Sequence, residues 1–322
     1  MRVIKPLTFG AYELGLTSSS VAEDDAPAWV QGQSVTLGDL RIYQHRVYEA
    51  LQTGNPQDAP PASPAWWLDV GPTNQWAMFD TSGTTSTTAT GSITVVLACG
   101  AFDSAAFIGL KGDVISVTTG GAGGTTTQAI IPAPAAPATS STLVISGIDY
   151  AGGSVTIEIS GSGDVACSAV SIGTDTDLGD TQMGLRIEVI DYSKVSADEF
   201  GTYRVVRRAY ARKMTASVTV PYLEADRIVS ALSSMRQIPA MWTAADDIAA
   251  ARIFGFYSDW SLVISTPTQS TYSITIESIA LDSLKLLPGD DIPAGGGGSE
   301  TARTVETGTF RYTESGTIRI QE

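Results

Sequence analysis

The chain has 322 residues, only 16% of them charged, and its 34 acidic side chains against 19 lysines and arginines give a formal net charge of −15. A chain this acidic carries no electrostatic footprint for nucleic acid, whose binders gather lysine and arginine against phosphates. Its 32 glycines, with abundant serine, threonine and alanine, indicate a mainly β, multidomain protein and argue against a helical one.

Residues 1–25 form an N-terminal segment that opens M-R-V-I-K-P-L-T-F-G, without the apolar stretch of an export signal. No window approaches the roughly 20 apolar residues of a membrane span. The expectation is a soluble chain that is neither exported by the general route nor inserted in a membrane. Cys99 and Cys167 are the only cysteines, so no disulfide framework is expected. Free buried thiols are the main reading, with one bridge left open should their strands be neighbours.

Residues 26–72 pack Trp29, Tyr43, Tyr48, Trp66 and Trp67 into a polar stretch punctuated by glycine and proline. A unit of about fifty residues has little interior to bury, so some of these rings must be its core, and Trp29 and Tyr48 are assigned there. Adjacent Trp66 and Trp67 point to opposite faces of an extended chain, so one anchors the unit while the other meets solvent; which does which stays open. The series Trp29, Gly38-Asp39, Tyr43, Tyr48, Ala50 and Trp66-Trp67 resembles the small chitin- or cellulose-binding modules appended to bacterial chitinases. Two positions depart from that pattern: Val35 replaces an aromatic, and His45 occupies the hairpin turn. The resemblance implies a small aromatic β module whose Tyr43, Trp66 and Trp67 stack on the apolar C–H face of a sugar.

Residues 73–183 alternate apolar and small polar side chains in short runs at 92–98, 106–110, 114–118, 142–148, 154–159 and 166–172. Glycine-rich breaks separate the runs, as expected of an antiparallel β-sandwich of jelly-roll type. Asp175, Asp177 and Asp180 superficially match a calcium loop, but the terminal glutamate of an EF-hand is missing. Turn formation is the plainer role for acids beside glycine, and no metal is assigned.

Residues 184–288 read as an α+β sheet domain with one helix. Strand patterns occupy 185–192 and 202–221, then Leu223, Ile228, Leu232 and Met235 fall at helical intervals before Pro239. Two further strand patterns follow at 252–265 and 272–279. The segments F-G-T-Y-R-V-V-R-R-A-Y-A-R at 200–212, P-A-M-W at 239–242 and G-F-Y-S-D-W at 255–260 resemble a recurrent part of tailed-bacteriophage tail and baseplate proteins. The junction at 66–80 likewise looks like a passage of phage structural proteins. Arg204, Arg207, Arg208 and Arg212 form a local positive strip, read either as a subunit contact or as a solvated strand face whose charges discourage edge pairing.

Residues 289–299 are a glycine-rich linker, and 300–322 carry alternating Phe310, Tyr312, Ile318 and Ile320 around Glu314-Ser315-Gly316. That pattern predicts a C-terminal tethered β-hairpin. Hairpins of two strands are marginal alone, so its apolar face is expected to dock on another subunit or virion protein.

Catalysis lacks a constellation: there is one histidine, His45, and two distant cysteines. The chain is expected to be no enzyme and to need no cofactor. The two resemblances imply a structural component of a phage tail tip or baseplate, synthesised in the bacterial cytosol, oligomeric, contacting other tail or baseplate proteins and displaying a sugar-binding module toward host polysaccharide. Two alternatives stand beside it: an accessory part of an extracellular polysaccharide-degrading enzyme, and an architectural virion subunit whose aromatic module binds protein.

Overall fold

The computed structural model describes residues 1–7, 15–80, 84–120, 124–131, 141–197, 203–206, 208 and 210–279. These residues form twenty strands and one α-helix, all within a compact unit spanning Met1–Leu286. The fold is mainly β, with antiparallel pairing throughout its named strands. No helix among the described residues is long and apolar enough to cross a membrane.

The first strands are β1 (Arg2–Pro6) and β2 (Leu16–Ser19), followed by β3 (Leu40–Tyr43), β4 (Arg46–Ala50) and β5 (Trp67–Pro72). The alternating runs of the middle region become β6 (Thr87–Cys99), β7 (Phe102–Leu110), β8 (Val114–Thr119), β9 (Thr126–Ile130), β10 (Ser141–Tyr150), β11 (Gly153–Cys167) and β12 (Ala169–Asp177). Then come β13 (Asp180–Thr181), β14 (Arg186–Asp191), β15 (Lys194–Ala197), β16 (Tyr203–Val206) and β17 (Tyr210–Pro221). Helix α1 (Ala225–Ser234) precedes β18 (Ala240–Thr243), β19 (Arg252–Ile264) and β20 (Gln269–Ser278).

A five-stranded sheet runs β2-β6-β11-β8-β9. A longer sheet runs β10-β7-β12-β1-β18-β19-β20-β17-β13, and β14 also pairs with β17. Strand β1 is the splice: Val3 lies opposite Thr176 of β12 and Trp242 of β18. The approach is close, since a Cβ at Gly173 would strike the Lys5 carbonyl. The division expected between residues 183 and 184 therefore does not interrupt the sheet, because residues from both sides pair through β1.

Alternation along the strands puts two cores on one face of the long sheet. At one end Phe107, Ile145 and Ile172 meet Ile93, Leu97, Ile115 and Ile157 of the five-stranded sheet. This is a sandwich, and it also takes in Val21, Met78 and Phe79. At the other end Met214, Val218, Trp242, Ile253 and Ile274 pack with Ile228 and Leu232 of α1. The Trp242 Nε1–H donates to the Gly255 carbonyl at 3.0 Å, satisfying the polar edge of a fully buried ring. Leu223 does not join the helix; it sits in a preceding 3-10 turn and is 90% exposed. The helix ends at Ser234, and Gln237 then takes a positive φ of 58°, so the chain turns before Pro239 is reached.

Both thiols are free. Cys99 lies opposite Gly153 and Cys167 opposite Thr87, at the two ends of the long β6–β11 ladder, well beyond the roughly 7 Å Cα separation that a disulfide tolerates. Burial pushes the Cys167 thiol up to about 12 from 9.0. Because the folded value exceeds the unfolded one, Cys167 should withdraw stability as the pH rises from about 9 to about 12. Alkylation by iodoacetamide in native buffer should reach Cys99 first and Cys167 only after denaturation, as read by peptide mass spectrometry.

The linker at 289–299 and the predicted hairpin with Phe310, Tyr312, Ile318 and Ile320 lie outside the described residues.

Candidate functional site

The aromatic segment folds as its own three-stranded sheet, β3-β4-β5. Gln44 and His45, both at positive φ (48° and 63°), make the tight turn between β3 and β4, as a two-residue hairpin requires. Cross-strand pairs put Tyr43 with Arg46, Arg41 with Tyr48 and Asp69, and Ala50 with Trp67 on one face. That face builds a small core of Val35, Tyr48, Ala50 and Trp67, edged by Trp29, Tyr43 and Trp66.

Trp67 is the anchoring ring: it is 3% exposed and offers no face to a ligand, which corrects its inclusion among sugar-stacking residues. Trp66 is half-buried and lies on Gly54, where a Cβ would come within 2.8 Å of the indole. Tyr43, also half-buried, meets Trp29 edge to face at a centroid distance of 5.4 Å. Trp29 therefore belongs to the rim of the core, and Tyr48 to its interior. Beside the rings, Arg46 grips Asp69 through Nε at 2.8 Å and through a second guanidinium nitrogen at 3.0 Å. The hydrogen bonds to Asp69 hold the Arg46 pKa above its ordinary value. Tyr43 lies opposite Arg46 across the hairpin, so its half-buried ring stands beside this charged fork of donors and acceptors, while Trp66 lies toward the other end of β4, its main-chain carbonyl accepting from the Leu51 N–H.

The opposite face is different. Leu40, Glu49 and Leu68 stand side by side across the three strands, with Leu40 39% and Leu68 51% exposed.

A latch joins this module to the sandwich. His45 Nδ1 donates to the Glu23 carboxylate at 2.9 Å, and Thr73, fully buried, donates its hydroxyl to the same carboxylate at 2.9 Å. The His45 ring stacks on Trp76 with centroids 4.0 Å apart, while Asn74 takes the Thr88 N–H of β6 on its side-chain oxygen at 2.8 Å. Sequence reasoning placed His45 at the turn but could not pair it with Glu23, 22 residues away. Glu23→Ala leaves a buried hydroxyl without its acceptor, so chemical denaturation should show a loss of about 1–3 kcal/mol, with Glu23→Gln losing less.

The basic tract does not present one strip. Strands β15 and β16 pair only with each other among the described strands, extending the β14–β17 pair into an arm. Arg204 lies in β16, but its side chain and the whole of Arg207 are outside the described residues. Arg208 is exposed, and its N–H donates to Ser193 Oγ at 3.1 Å. Arg212 is tucked inward: burial lowers its pKa, and its Nε has no hydrogen-bond partner among the described residues. Beside its charged residues the arm exposes a set of apolar side chains, namely Met183 at its base (100%), Val189 (65%), Val195 (60%), Tyr203 (74%) and Val205 (58%). Sequence reading missed this because the arginines drew attention from the valines between them.

Two of the three aspartates at 175, 177 and 180 have local partners. Asp175 pairs with Arg2, and Asp177 Oδ1 accepts the Gly179 N–H at 2.9 Å in a local turn. Among the described residues no group of three or more histidine, cysteine, aspartate or glutamate side chains is placed to hold a metal.

Compared with known proteins, the chain matches no family model and no curated sequence.

Proposed function

We propose that this chain is a non-catalytic structural component of a bacteriophage tail tip or baseplate, held in its assembly by the β14–β17 arm and displaying residues 26–72 for attachment to host polysaccharide. The observation that carries the reading is the arm. A two-stranded projection with this much exposed apolar surface is marginal alone and gains stability when a neighbour covers it. The separate small core of the aromatic module, latched to the sandwich by Glu23 and His45, supports a display role. Copies of the chain in a ring or trimer would turn weak contacts at Tyr43 and Trp66 into avidity.

Retention of the purified full chain on insoluble chitin and cellulose tests the sugar half of the proposal. Retention that is lost in Tyr43→Ala and Trp66→Ala is the expected result; no retention on either polymer counts against it. A second reading, in which the module is architectural and grips protein, draws on the exposed Leu40 and Leu68 of its outer face. Leu40→Ser with Leu68→Ser would then abolish assembly while leaving retention on polysaccharide untouched.

A further inference from the structure

Strand β17 has an exposed apolar surface beyond each of its ends. Before its start at Tyr210, the β15–β16 hairpin of the arm carries Val195, Tyr203 and Val205, which are 60%, 74% and 58% exposed. Past its end at Pro221, Tyr222 and Leu223 stand 43% and 90% exposed in the 3-10 turn. The Tyr222 N–H ties this turn to the one between β19 and β20 by donating to the Thr268 carbonyl at 3.0 Å. Ile264 belongs to the same tip: it lies opposite Ser270, and Ser270 lies opposite Val220, two residues before Tyr222. Ile264 and its neighbour Val263 are each 61% exposed. The 12 residues of β17 separate tip from arm by about 40 Å at the usual rise of a strand, so neither surface covers the other within one chain.

The two surfaces differ in charge. On the arm, Lys194 and Arg208 are exposed and join no ion pair among the described residues. The acids described there are already engaged, since Glu188 pairs with Arg186 and Asp191 accepts the Ser193 N–H. At the tip the balance is reversed. Glu224 is paired with Arg227, while Asp226 of α1 and Asp180, opposite Thr219 of β17, are exposed and without an ion pair among the described residues. Two copies of a chain with net charge −15 repel each other unless a positive patch on one meets a negative patch on the other. Exposed apolar side chains with a polar rim are also the usual makeup of a protein contact.

We infer that the arm of one copy docks on the tip of a second copy. Val195, Tyr203 and Val205 cover Tyr222, Leu223 and Ile264, and Lys194 and Arg208 face Asp180 and Asp226. The inference rests on the arm being an assembly contact, as proposed above, and names the surface that receives it. Because arm and tip are different patches, the contact is heterologous. A bound pair keeps a free arm at one end and a free tip at the other, so the contacts close into a ring or extend as a filament.

Sedimentation velocity of the full chain across a concentration series tests this, with an arm variant, Val195→Asp with Val205→Lys, and a tip variant, Leu223→Lys with Ile264→Lys. Each variant should associate about a hundredfold more weakly than the native chain, and added salt should weaken native association by screening the charged rim. At a concentration where each variant alone is monomeric, their equimolar mixture should sediment as a dimer that does not grow, since it holds one intact arm and one intact tip. Thermal unfolding checks that the variants keep the native fold; Leu223→Lys alone, at a side chain 90% exposed, replaces the double change if that one does not fold. A tip variant that associates like the native chain while the arm variant does not would overturn the inference and leave the arm as a contact with some other surface. A mixture that stays monomeric, or a native chain that is monomeric at every concentration, would overturn it as well.

Discussion

Replacing Trp67 with alanine is expected to unfold the aromatic module and leave the rest of the chain folded. The ring is 3% exposed and shares a small core with Val35, Tyr48 and Ala50, against which the half-buried Tyr43 and Trp66 and the edge of Trp29 pack. Truncating a buried tryptophan costs about 3–5 kcal/mol, more than so small a core can spare. Its loss need not spread, because the sandwich and the helix-covered end of the long sheet have cores of their own. Hydrogen exchange followed by mass spectrometry should show protection lost across residues 26–72 and kept in β6–β12 and β17–β20. Protection lost everywhere would mean that the module and sandwich form one cooperative unit. Trp66→Ala is the contrast: it should keep the fold and remove a binding surface.

The second large effect concerns the arm. Val195 and Val205 are direct cross-strand partners, 60% and 58% exposed. Changing them together to Val195→Asp and Val205→Lys removes the apolar pair and places opposite charges across the ladder, so the hairpin keeps a favourable pair. Stability should move by no more than about 0.5 kcal/mol, as is usual for exposed positions. Association should fall on the order of a hundredfold, the scale of losing a contact at the centre of an interface. Sedimentation velocity across a concentration series reads both states. A native chain that stays monomeric at every concentration would remove the arm as a contact between copies.

Much of the fold was legible because the residues advertise their periodicity. The runs that became β6, β8 and β11 alternate because each strand has one buried and one wetter face, whereas β7 is buried along nearly its whole length, with Phe107 in one core and Ala106 and Ile108 in the cluster on the other face. Strand β1 carried no such signal: Val3 and Ile4 are both buried, one toward each face, so a strand central to the sheet looks like an arbitrary apolar pair. The boundary near 183 was read from a change in pattern along the chain, whereas the sheet is ordered across it. In the aromatic module the extended-chain argument sent Trp66 and Trp67 to opposite faces, but β5 begins only at Trp67, and Trp66, in the preceding turn, packs half-buried against the same core of Val35, Tyr48, Ala50 and Trp67. A cleft of about 300 Å³ on the long sheet was invisible for a related reason: its polar lining, Arg2, Ser146, Asp175, Thr243, Asp246 and Arg252, comes from positions that no local motif connects.

The placement of β1 has a bearing on synthesis. It leaves the ribosome more than two hundred residues ahead of its partners at residues 241–243. At about 5–20 residues per second, the nascent chain carries this strand without its second neighbour for roughly ten to fifty seconds. During that interval Val3 and Ile4 are available to chaperones or to another nascent copy, and the five-stranded sheet can form before the long sheet is spliced. Codon changes that speed or slow translation between residues 180 and 240 should therefore alter the yield of native protein more than the same changes after residue 279.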